Sequence, residues 1–220
     1  MDLDGHVRAA LLHGDARDDT YRCLAQSFVA AHEQAPNGVS VEVGTRRGGS
    51  ALMQLLLLED LYPEAIRPLL ITIDPYGGKP YFVGGDREAV RGLYGNDEYV
   101  AAKRLLYGYS NHLHFPVISL DWLAFAKAGM RVWSRGGMIV PAATGITHVL
   151  LDGDHDARTI IEEVQGFLPM LKPGGRIVID NTPDDPKTIP WLEEVVSTWN
   201  YGLKLTLLRP LPDLAVLVRG

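Results

Sequence analysis

The sequence predicts an α/β fold built around a mostly parallel sheet. Residues 149–151 and 177–179 are continuous apolar runs without alternation, which is typical of parallel strands covered on both faces. Between them, apolar residues recur at helical spacing over 160–171 and form one stripe. A strand–helix–strand unit of this length is a right-handed parallel crossover. The carboxyl ends of its two strands therefore lie at one edge of the sheet, where ligands bind in open α/β folds.

The segments before this unit predict a helical cap and a second strand–helix–strand unit. Two helices are expected over 5–13 and 18–34, within a cap that spans residues 1–36. The second unit consists of a strand at 39–43, a glycine-rich loop at 44–50, a helix at 51–61 and a strand at 69–73. Its loop is the one that would meet a cofactor, because it leads into a helix N-terminus.

The remaining segments complete the sheet. Residues 75–95 are rich in glycine, tyrosine and charge, and their length exceeds a usual connection, which predicts a functional lid or an irregular loop. Further elements are expected as a helix at 97–107, a strand at 114–119, a helix at 121–128, a hairpin at 130–141, a helix at 189–199 and strands at 203–208 and 214–218. The last two strands form a closing hairpin, which places one antiparallel strand on the sheet. In the central unit, Asp154 or Asp156 caps the helix and Lys172-Pro173-Gly174-Gly175 ends it.

The composition indicates a single domain over residues 1–220, with 39–220 as its core. A net charge of −6 gives no basic face for nucleic acid or anionic lipid, so a small molecule is the expected partner. Cys23 is the single cysteine, which excludes a disulfide framework and indicates a reducing compartment. No signal peptide is recognised and the most apolar run, 51–58, is too short for a bilayer, so we expect a cytoplasmic protein without membrane contact. The oligomeric state stays open, a homo-oligomer included.

The glycine-rich loop has the features of a ligand site. Glycines let a ligand approach the backbone closely, and their spacing here is Gly-x-x-x-Gly, not the Gly-x-Gly-x-x-Gly of dinucleotide folds. Glu42, just before the loop, would repel a pyrophosphate but suits an ammonium or sulfonium group. Asp74 ends the next strand, where a carboxylate can accept two hydrogen bonds from a ribose diol. The alternative is a structural turn with a helix cap.

A second group of polar residues predicts a metal site. Asp152, Asp180 and Asn181 follow the two strands of the central unit, so they emerge at the same edge of the sheet. Two carboxylates and an amide oxygen, without a thiolate, suit Mg²⁺ or Mn²⁺ better than Zn²⁺. The alternative is that these residues cap a helix and form a turn.

These motifs together resemble two known groups of enzymes. The ordered set Glu42-x-Gly44-x-x-x-Gly48, Asp74, Asp121, Asp152 and the Lys-Pro-Gly-Gly turn resembles class I S-adenosylmethionine-dependent methyltransferases, from residue 39 to the C-terminus. The sequences Asp-Gly-Asp-His at 152–155 and Ile-Asp-Asn at 179–181 resemble metal-dependent small-molecule O-methyltransferases. The acid–amide pair matches the catechol type, and Asp-Gly-Asp-His matches the macrocin/mycinamicin sugar type.

The resemblance implies a Rossmann-like fold and assigns the site residues. It implies S-adenosylmethionine contacts at Glu42, Gly44, Thr45, Gly48, Ser50, Asp74, Asp121 and Asp152, and Mg²⁺ or Mn²⁺ at Asp152, Asp180 and Asn181. His155 stands where sugar-type enzymes have a histidine and catechol-type enzymes a lysine, so it is the expected general base, since imidazole ionises near neutral pH. For His155 the alternative is a solvated residue at a helix start, and for Asp121 it is a helix N-cap.

The resemblance predicts O-methylation of a small hydroxylated molecule, such as a phenol or a natural-product sugar. Three alternatives remain open at this point. The nearest is metal-independent N- or O-methyl transfer. A nicotinamide-dependent oxidoreductase would share the fold, although the glycine spacing and Glu42 argue against it. A non-catalytic binding protein on the same fold is the third.

Overall fold

A computed structural model gives the arrangement of the helices and strands. It describes every residue except 78–80, 83–88, 91–94, 134–138, 142–144, 183 and 199–202, and only the backbone of 81–82, 89–90, 133 and 139–141. Most of the segment 75–95 therefore lies outside the described residues, and the lid expected there stays a prediction.

The helices lie close to their predicted positions, with one correction. They are α1 (Leu3–Leu11), α2 (Asp18–Gln34), α3 (Gly49–Leu61), α4 (Asn96–Leu106), α5 (Ser119–Lys127), α6 (Ala157–Phe167) and α7 (Thr188–Thr198). Asp156 caps α6, as one of the two predicted residues. The end of α6 was predicted wrongly at 172–175. The helix ends at Phe167 because Pro169 has no N–H and its ring clashes with the preceding turn, so a short 3-10 helix, Leu168–Met170, follows.

The strands occur in the predicted order, and one of them lies at a different position from the predicted one. They are β1 (Val39–Val43), β2 (Leu70–Ile73), β3 (Tyr81–Phe82), β4 (Ala89–Val90), β5 (His112–Phe115), β6 (Arg131–Trp133), β7 (Ile139–Pro141), β8 (Ile146–Leu151), β9 (Leu171–Ile179), β10 (Leu205–Leu211) and β11 (Leu214–Arg219). The predicted hairpin is confirmed as the antiparallel pair β6–β7. The strand expected at 114–119 is instead β5, because Pro116 cannot donate a ladder hydrogen bond and the chain turns there into α5.

Seven strands form the main sheet, in the order β10-β11-β9-β8-β1-β2-β5. The strands from β9 to β5 are parallel, and β11 is antiparallel to both of its neighbours, so the predicted sheet is confirmed. From β1 the chain continues to β2 on one side, whereas β8 lies on the other. The connections that follow β1 and β8 therefore run in opposite directions, and a crevice opens between them at the carboxyl ends of these two strands.

Apolar side chains bury both faces of the sheet. Alternate residues of β1 enter opposite layers: Val41 packs in the layer of α5 and α6, whereas Ser40 and Glu42 face the other way. The helix α3 is buried along most of its length, which explains its almost unbroken run of leucines. The cap helices α1 and α2 pack on α3 and the sheet, so the connection between them reaches the crevice. Among the described residues, no helix combines the length and the apolar character needed to cross a bilayer.

Candidate active site

A cavity of about 510 Å³ occupies the crevice. Its walls come from the α1–α2 connection, the glycine-rich loop, the end of β2, the start of α5 and the segments that follow β8 and β9. The ligand was predicted to bind at this edge of the sheet, and the structure brings most of the predicted residues to it. The lining residues from that prediction are Gly44, Thr45, Ser50, Asp74, Asp152, His155, Asp180 and Asn181.

The glycines of the loop are required first by the chain itself. Gly44 has a φ of 85°, and a Cβ atom there would clash with the carbonyl group of Asp152. Gly48, also at positive φ, is the N-cap residue of α3 and does not line the cavity. Gly49 was missed by sequence reasoning although it lines the cavity: its missing side chain allows Gly14 of the α1–α2 connection to approach. The loop thus joins β8, α3 and the cap around one space.

Asp74 holds the loop in place. The backbone N–H groups of Thr45 and Arg46 donate to its Oδ2 atom at 3.0 and 2.8 Å, and that of Tyr76 donates to Oδ1 at 3.0 Å. Burial raises the pKa of the Asp74 carboxyl, and these three backbone hydrogen bonds oppose that shift. Among the described residues Oδ1 accepts a single hydrogen bond, and Asp74 lines the cavity, so this carboxylate keeps an acceptor site for a ligand hydroxyl.

Glu42 lies one layer beneath the loop. Its side chain is fully buried, Gln54 Nε2 donates to its Oε2 atom, and its Oε1 atom has no partner among the described residues. Burial raises the pKa of Glu42 to about 8, and hydrogen bonds from Ser50 and Gln54 act in the opposite direction. Glu42 does not line the cavity, whereas Ser50 does. In this conformation Glu42 would therefore act on a ligand electrostatically, through the loop, rather than by direct contact.

Two carboxylates meet at the opposite end of the cavity. The backbone N–H of Asp152 donates to Val43 O at 2.9 Å, and that of Asp180 donates to Leu151 O at 3.0 Å, so both acids directly follow paired strands. Desolvation raises the pKa of Asp152 well above its usual range, and the negative charge of Asp180 raises it further. Desolvation also raises the pKa of Asp180. Two like charges therefore face one another here, and the positive charge of Arg46 only partly offsets the rise in the pKa of Asp152.

His155 connects this end to a carboxylate that the sequence did not identify. Its Nδ1 atom lies 2.7 Å from Asp184 Oδ2, and its Nε2 atom lies 3.3 Å from Asn181 Nδ2 and 3.9 Å from Asp152 Oδ1. An ionised carboxylate only accepts, so Nδ1 carries a proton and donates to Asp184. In the neutral ring Nε2 is then an acceptor that faces Asn181 and Asp152. No sequence pattern links 155 to 184; only the return of the chain after β9 brings them together.

The donor set fits a hard divalent cation. The described residues contain no cluster of three or more His, Cys, Asp or Glu side chains that could hold a metal ion, since the third predicted ligand is the amide of Asn181. The Nδ2 atom of Asn181 faces His155, so the amide oxygen Oδ1 is the atom of this side chain that could serve as a ligand. Mg²⁺ and Mn²⁺ accept few protein oxygens and take water or substrate for the rest. The repulsion between Asp152 and Asp180 is what such a cation would neutralise.

The start of α5 differs from the expectation for Asp121. Asp121 lies in the first turn of α5 but does not line the cavity, and it is not the N-cap residue, which is Ile118. The cavity is lined instead by Ile118, Ser119 and Leu120, because α5 begins two residues earlier than predicted. Glu163 of α6 also lines the cavity, and no sequence pattern marked it beyond its position on the helix.

Comparison with known proteins identifies the fold and the family. The model of a methyltransferase domain matches residues 41–182, which is more than half of the chain. No curated protein matches the chain.

Solved structures share the fold at low identity. The O-methyltransferase NovP is 14% identical, with a TM-score of 0.70, and the match covers 99% of this chain and 97% of that one. TomG from Streptomyces achromogenes, an O-methyltransferase involved in tomaymycin synthesis and solved with SAM, is 16% identical, with a TM-score of 0.60 over 99% of this chain and 88% of that one. The O-methyltransferase from Bacillus cereus solved with SAH is 13% identical, with a TM-score of 0.60 over 99% and 89%. These likenesses confirm the Rossmann-like methyltransferase fold.

Proposed function

The chain belongs to the methyltransferase domain family, and on that basis we propose that it moves a methyl group from S-adenosylmethionine to a hydroxyl of a small molecule, with a divalent cation at Asp152, Asp180 and Asn181. One observation carries the proposal. A single cavity has at one end a glycine-rich loop that Asp74 holds by hydrogen bonds, and at the other end a pair of mutually repelling carboxylates. The first end suits a cofactor with a ribose, and the second suits a cation that holds the acceptor.

The loop end supports the cofactor assignment. Asp74 lines the cavity and its Oδ1 atom can accept a second hydrogen bond, which a ribose hydroxyl could donate. The backbone of Gly44 and Thr45 stands beside that carboxylate, and Ser50 adds a hydroxyl at the start of α3. Glu42 lies beneath the loop with its pKa raised to about 8, so a cationic sulfonium nearby would favour its ionised form, whereas a pyrophosphate would oppose it. S-adenosylmethionine would supply the methyl group as an electrophile. Its sulfonium would become a neutral thioether when the methyl group is transferred.

The carboxylate end supports the proposed cation and acceptor. A divalent cation bound there would lower the pKa of an acceptor hydroxyl and orient its oxygen. Asp152 and Asp180 hold the cation by charge, and Asn181 adds a neutral oxygen. The backbones of the two acids are fixed by hydrogen bonds to Val43 and Leu151, so these ligands are positioned before the cation arrives.

His155 is the proposed general base. Asp184 fixes its Nδ1–H tautomer at 2.7 Å, which leaves Nε2 as the proton acceptor beside Asp152 and Asn181. An acceptor hydroxyl that displaced the 3.3 Å contact with Asn181 would find Nε2 in reach. Asp184 would then stabilise the imidazolium that forms when the proton is taken.

A small neutral hydroxylated acceptor fits the charges of the site. Arg17 pairs with Asp213, Arg46 with Asp15 and Arg47 with Glu98, so these cavity cations already have carboxylate partners. The net charge of −6 disfavours nucleic acid as the acceptor. TomG is described as acting in tomaymycin synthesis, and a natural-product phenol or sugar is the acceptor class proposed here.

The proposal is tested by methyl transfer from labelled S-adenosylmethionine to a panel of phenols, catechols and glycosides. We expect turnover with at least one acceptor, loss of that turnover in EDTA and recovery with Mg²⁺ or Mn²⁺. Turnover unchanged by EDTA would favour the metal-independent alternative. His155→Ala should lower the rate by about 10²–10⁴-fold at neutral pH, with partial recovery at high pH. A full rate in that variant would assign the base to another group.

A further inference from the structure

An ion pair lies in the wall of the cavity at its carboxylate end. Asp213, in the turn between β10 and β11, and Arg17, in the connection between α1 and α2, both line the cavity. The Nη2 atom of Arg17 donates to Asp213 Oδ2 at 2.8 Å. The Oδ1 atom of Asp213 is buried and has no hydrogen-bond partner among the described residues. A carboxylate oxygen withdrawn from water without a donor is costly, so a donor brought by a ligand is favoured.

The pair offers both hydrogen-bond donors and an acceptor to a ligand. The guanidinium of Arg17 has five N–H donors, and its contacts with Asp213 and Asp19 use two of them. The side chain of Asp213 is 25% exposed, and the terminal torsion of an aspartate is broad, so a small rotation turns Oδ1 toward the cavity. A hydroxyl both donates and accepts, so it is the neutral group that matches such a pair.

The strand order places the pair on the side of the site that faces away from the cofactor loop. In the sheet β9 lies between β11 and β8, and the start of β11 meets the end of β9 because the two strands are antiparallel. The backbone N–H of Thr182 donates to Asp213 O at 3.1 Å. Desolvation and, to a smaller extent, the negative charge of Asp213 raise the pKa of Asp180. Along this edge Asp180 therefore lies between Asp213 and Asp152.

This position assigns the pair to the body of the acceptor. With the reacting hydroxyl at the proposed cation and the methyl donor on the side of the glycine-rich loop, the rest of the acceptor extends toward Arg17 and Asp213. A phenol with one hydroxyl presents ring C–H groups there and would desolvate the ion pair without replacing its lost hydrogen bonds. A second hydroxyl donates to the carboxylate and accepts from the guanidinium. The pair has no net charge, which favours a neutral group.

We propose that Asp213, held by Arg17, accepts a hydrogen bond from a second, non-reacting hydroxyl of the acceptor and so selects polyhydroxylated acceptors over phenols with one hydroxyl. This inference rests on the proposed function, which supplies the methyl transfer. Arg17 acts as a positioning residue, because it holds Oδ2 and leaves Oδ1 for the acceptor. A purely structural role, in which the pair only ties the α1–α2 connection to the β10–β11 turn, predicts equal effects on all acceptors.

The test compares the kinetics of four proteins with matched acceptors. The acceptors are a methyl hexopyranoside, its monodeoxy analogues and catechol, whose two adjacent hydroxyls both lie within reach of the cation. Mass spectrometry of the methylated glycoside identifies the reacting hydroxyl, so each analogue used lacks one of the others. The proteins are the wild type, Asp213→Ala, Asp213→Asn and the control Asp18→Ala. Asp18 also pairs with an arginine, Arg22, but does not line the cavity, so this variant removes a paired carboxylate without the proposed contact.

The expected results differ between the glycoside and its analogues. In the wild type and in Asp18→Ala, kcat/KM should fall by about 10–100-fold for the analogue that lacks the hydroxyl bound by Asp213. Asp213→Ala should lower kcat/KM for the parent glycoside by the same factor, mainly through KM, and should lose nothing further with that analogue. Asp213→Asn keeps a neutral acceptor oxygen and should lose about 2–10-fold. Turnover of catechol and affinity for S-adenosylhomocysteine should stay within about twofold in every variant.

The outcomes separate this inference from the proposed function. A wild type that methylates catechol but no hexopyranoside, or that treats every monodeoxy analogue like the parent, overturns the role of Asp213 and leaves the proposed function intact. Equal losses with catechol and the glycoside in Asp213→Ala also overturn it and favour the structural role. If the wild type methylates none of these acceptors, the proposed function is wrong and the inference fails with it. Asp213→Asn preserves the shape of the side chain, so it decides the matter if the alanine variant does not fold.

Discussion

The two ends of the cavity satisfy their charged groups in different ways. At the loop end, the Asp74 carboxylate accepts three backbone hydrogen bonds from Thr45, Arg46 and Tyr76, which offset part of the rise in its pKa that burial causes. At the other end, Asp152 and Asp180 have fixed backbones, yet the negative charge of Asp180 raises the pKa of Asp152. The carboxylate at the loop end has backbone donors around it, whereas each carboxylate at the other end has a like charge beside it.

This difference separates a structural acid from an acid that requires a partner. Both kinds follow strands of the same sheet, and their settings in the sequence are similar. Only the donors around each carboxylate distinguish them. A carboxylate surrounded by N–H groups organises the loop on which a ligand lies, whereas a repelling pair creates a demand for positive charge. Variants at the loop end should therefore weaken cofactor binding and leave metal binding intact, and variants at the carboxylate end should do the reverse.

The largest effect is expected for Asp180→Ala. With one carboxylate removed, a hard cation that takes few protein ligands loses its site, and methyl transfer should fall by about 10⁴-fold or more. Affinity for S-adenosylhomocysteine should stay within about twofold, because Asp74 and the loop lie on other strands. Activity and calorimetry on the same preparation measure both. Cofactor affinity lost together with activity would mean that the two ends are not separate.

The second-largest effect is expected at the close contact between Gly44 of the loop and the backbone of Asp152. Gly44→Ala should lower the free energy of unfolding by about 3–5 kcal/mol, because its Cβ would meet the Asp152 backbone in addition to the strain of positive φ. Gly129→Ala is the matched control: its φ is 86° and no heavy atom lies within 4 Å of the added carbon. The control should lose only about 1 kcal/mol. Urea denaturation of both variants gives the comparison, and equal losses would show that the close approach costs nothing.

A moderate effect is expected at the loop end. Asp74→Ala leaves the N–H groups of Thr45 and Arg46 without their acceptor and removes the carboxylate proposed to bind the ribose. Affinity for S-adenosylhomocysteine should fall by about 10–100-fold, which corresponds to about 1.5–3 kcal/mol. Mn²⁺ binding should persist. Calorimetry with each ligand checks this, and unchanged cofactor affinity in a folded variant would remove Asp74 from the site.

The smallest effect is a change in how stability depends on pH. Because the folded state raises the pKa of Asp152, the stability tied to this group is present at low pH and is lost as pH rises through the folded pKa. Asp152→Asn cannot ionise, so in EDTA it should lose less stability than the wild type as pH rises above the usual range of a carboxyl pKa. Solvent screens the partly exposed Asp152, so the difference should be near ~1 kcal/mol, or about 2–4 °C in Tm.

Melting curves at a series of pH values, with and without Mn²⁺, measure the difference between wild type and Asp152→Asn. Mn²⁺ should remove it by compensating the charge of the wild type. Parallel pH profiles in EDTA would mean that the carboxylates do not repel one another in the folded protein.

Much of the fold was predictable because its signals are local. The unbroken apolar runs of β8 and β9 and the stripe of α6 required only periodicity. The errors lie where a single proline ends an element that the neighbouring residues would continue. Pro116 ends β5 early, and Pro169 ends α6 before the Lys-Pro-Gly-Gly segment.

The candidate site was predictable where it follows strand ends. Asp74, Asp152, Asp180 and Asn181 could be placed on that rule alone. Asp184 and Glu163 could not be assigned, because their partners, His155 and Ser119, are 29 and 44 residues away and only the packing of the chain brings them together. That Asp74 accepts hydrogen bonds from the loop backbone was also unpredictable, since backbone N–H donors leave no mark in the sequence.

The carboxylate end of the cavity needs a divalent cation on this account, and the loop end does not. Calorimetric titration of Mn²⁺ into the wild type and Asp180→Ala, each saturated with S-adenosylhomocysteine, tests this difference most directly. We predict one Mn²⁺ bound per chain in the wild type and none in Asp180→Ala, with equal cofactor occupancy in both. A wild type that binds no Mn²⁺ up to about 1 mM, or an Asp180→Ala variant that binds it as tightly, would contradict the account.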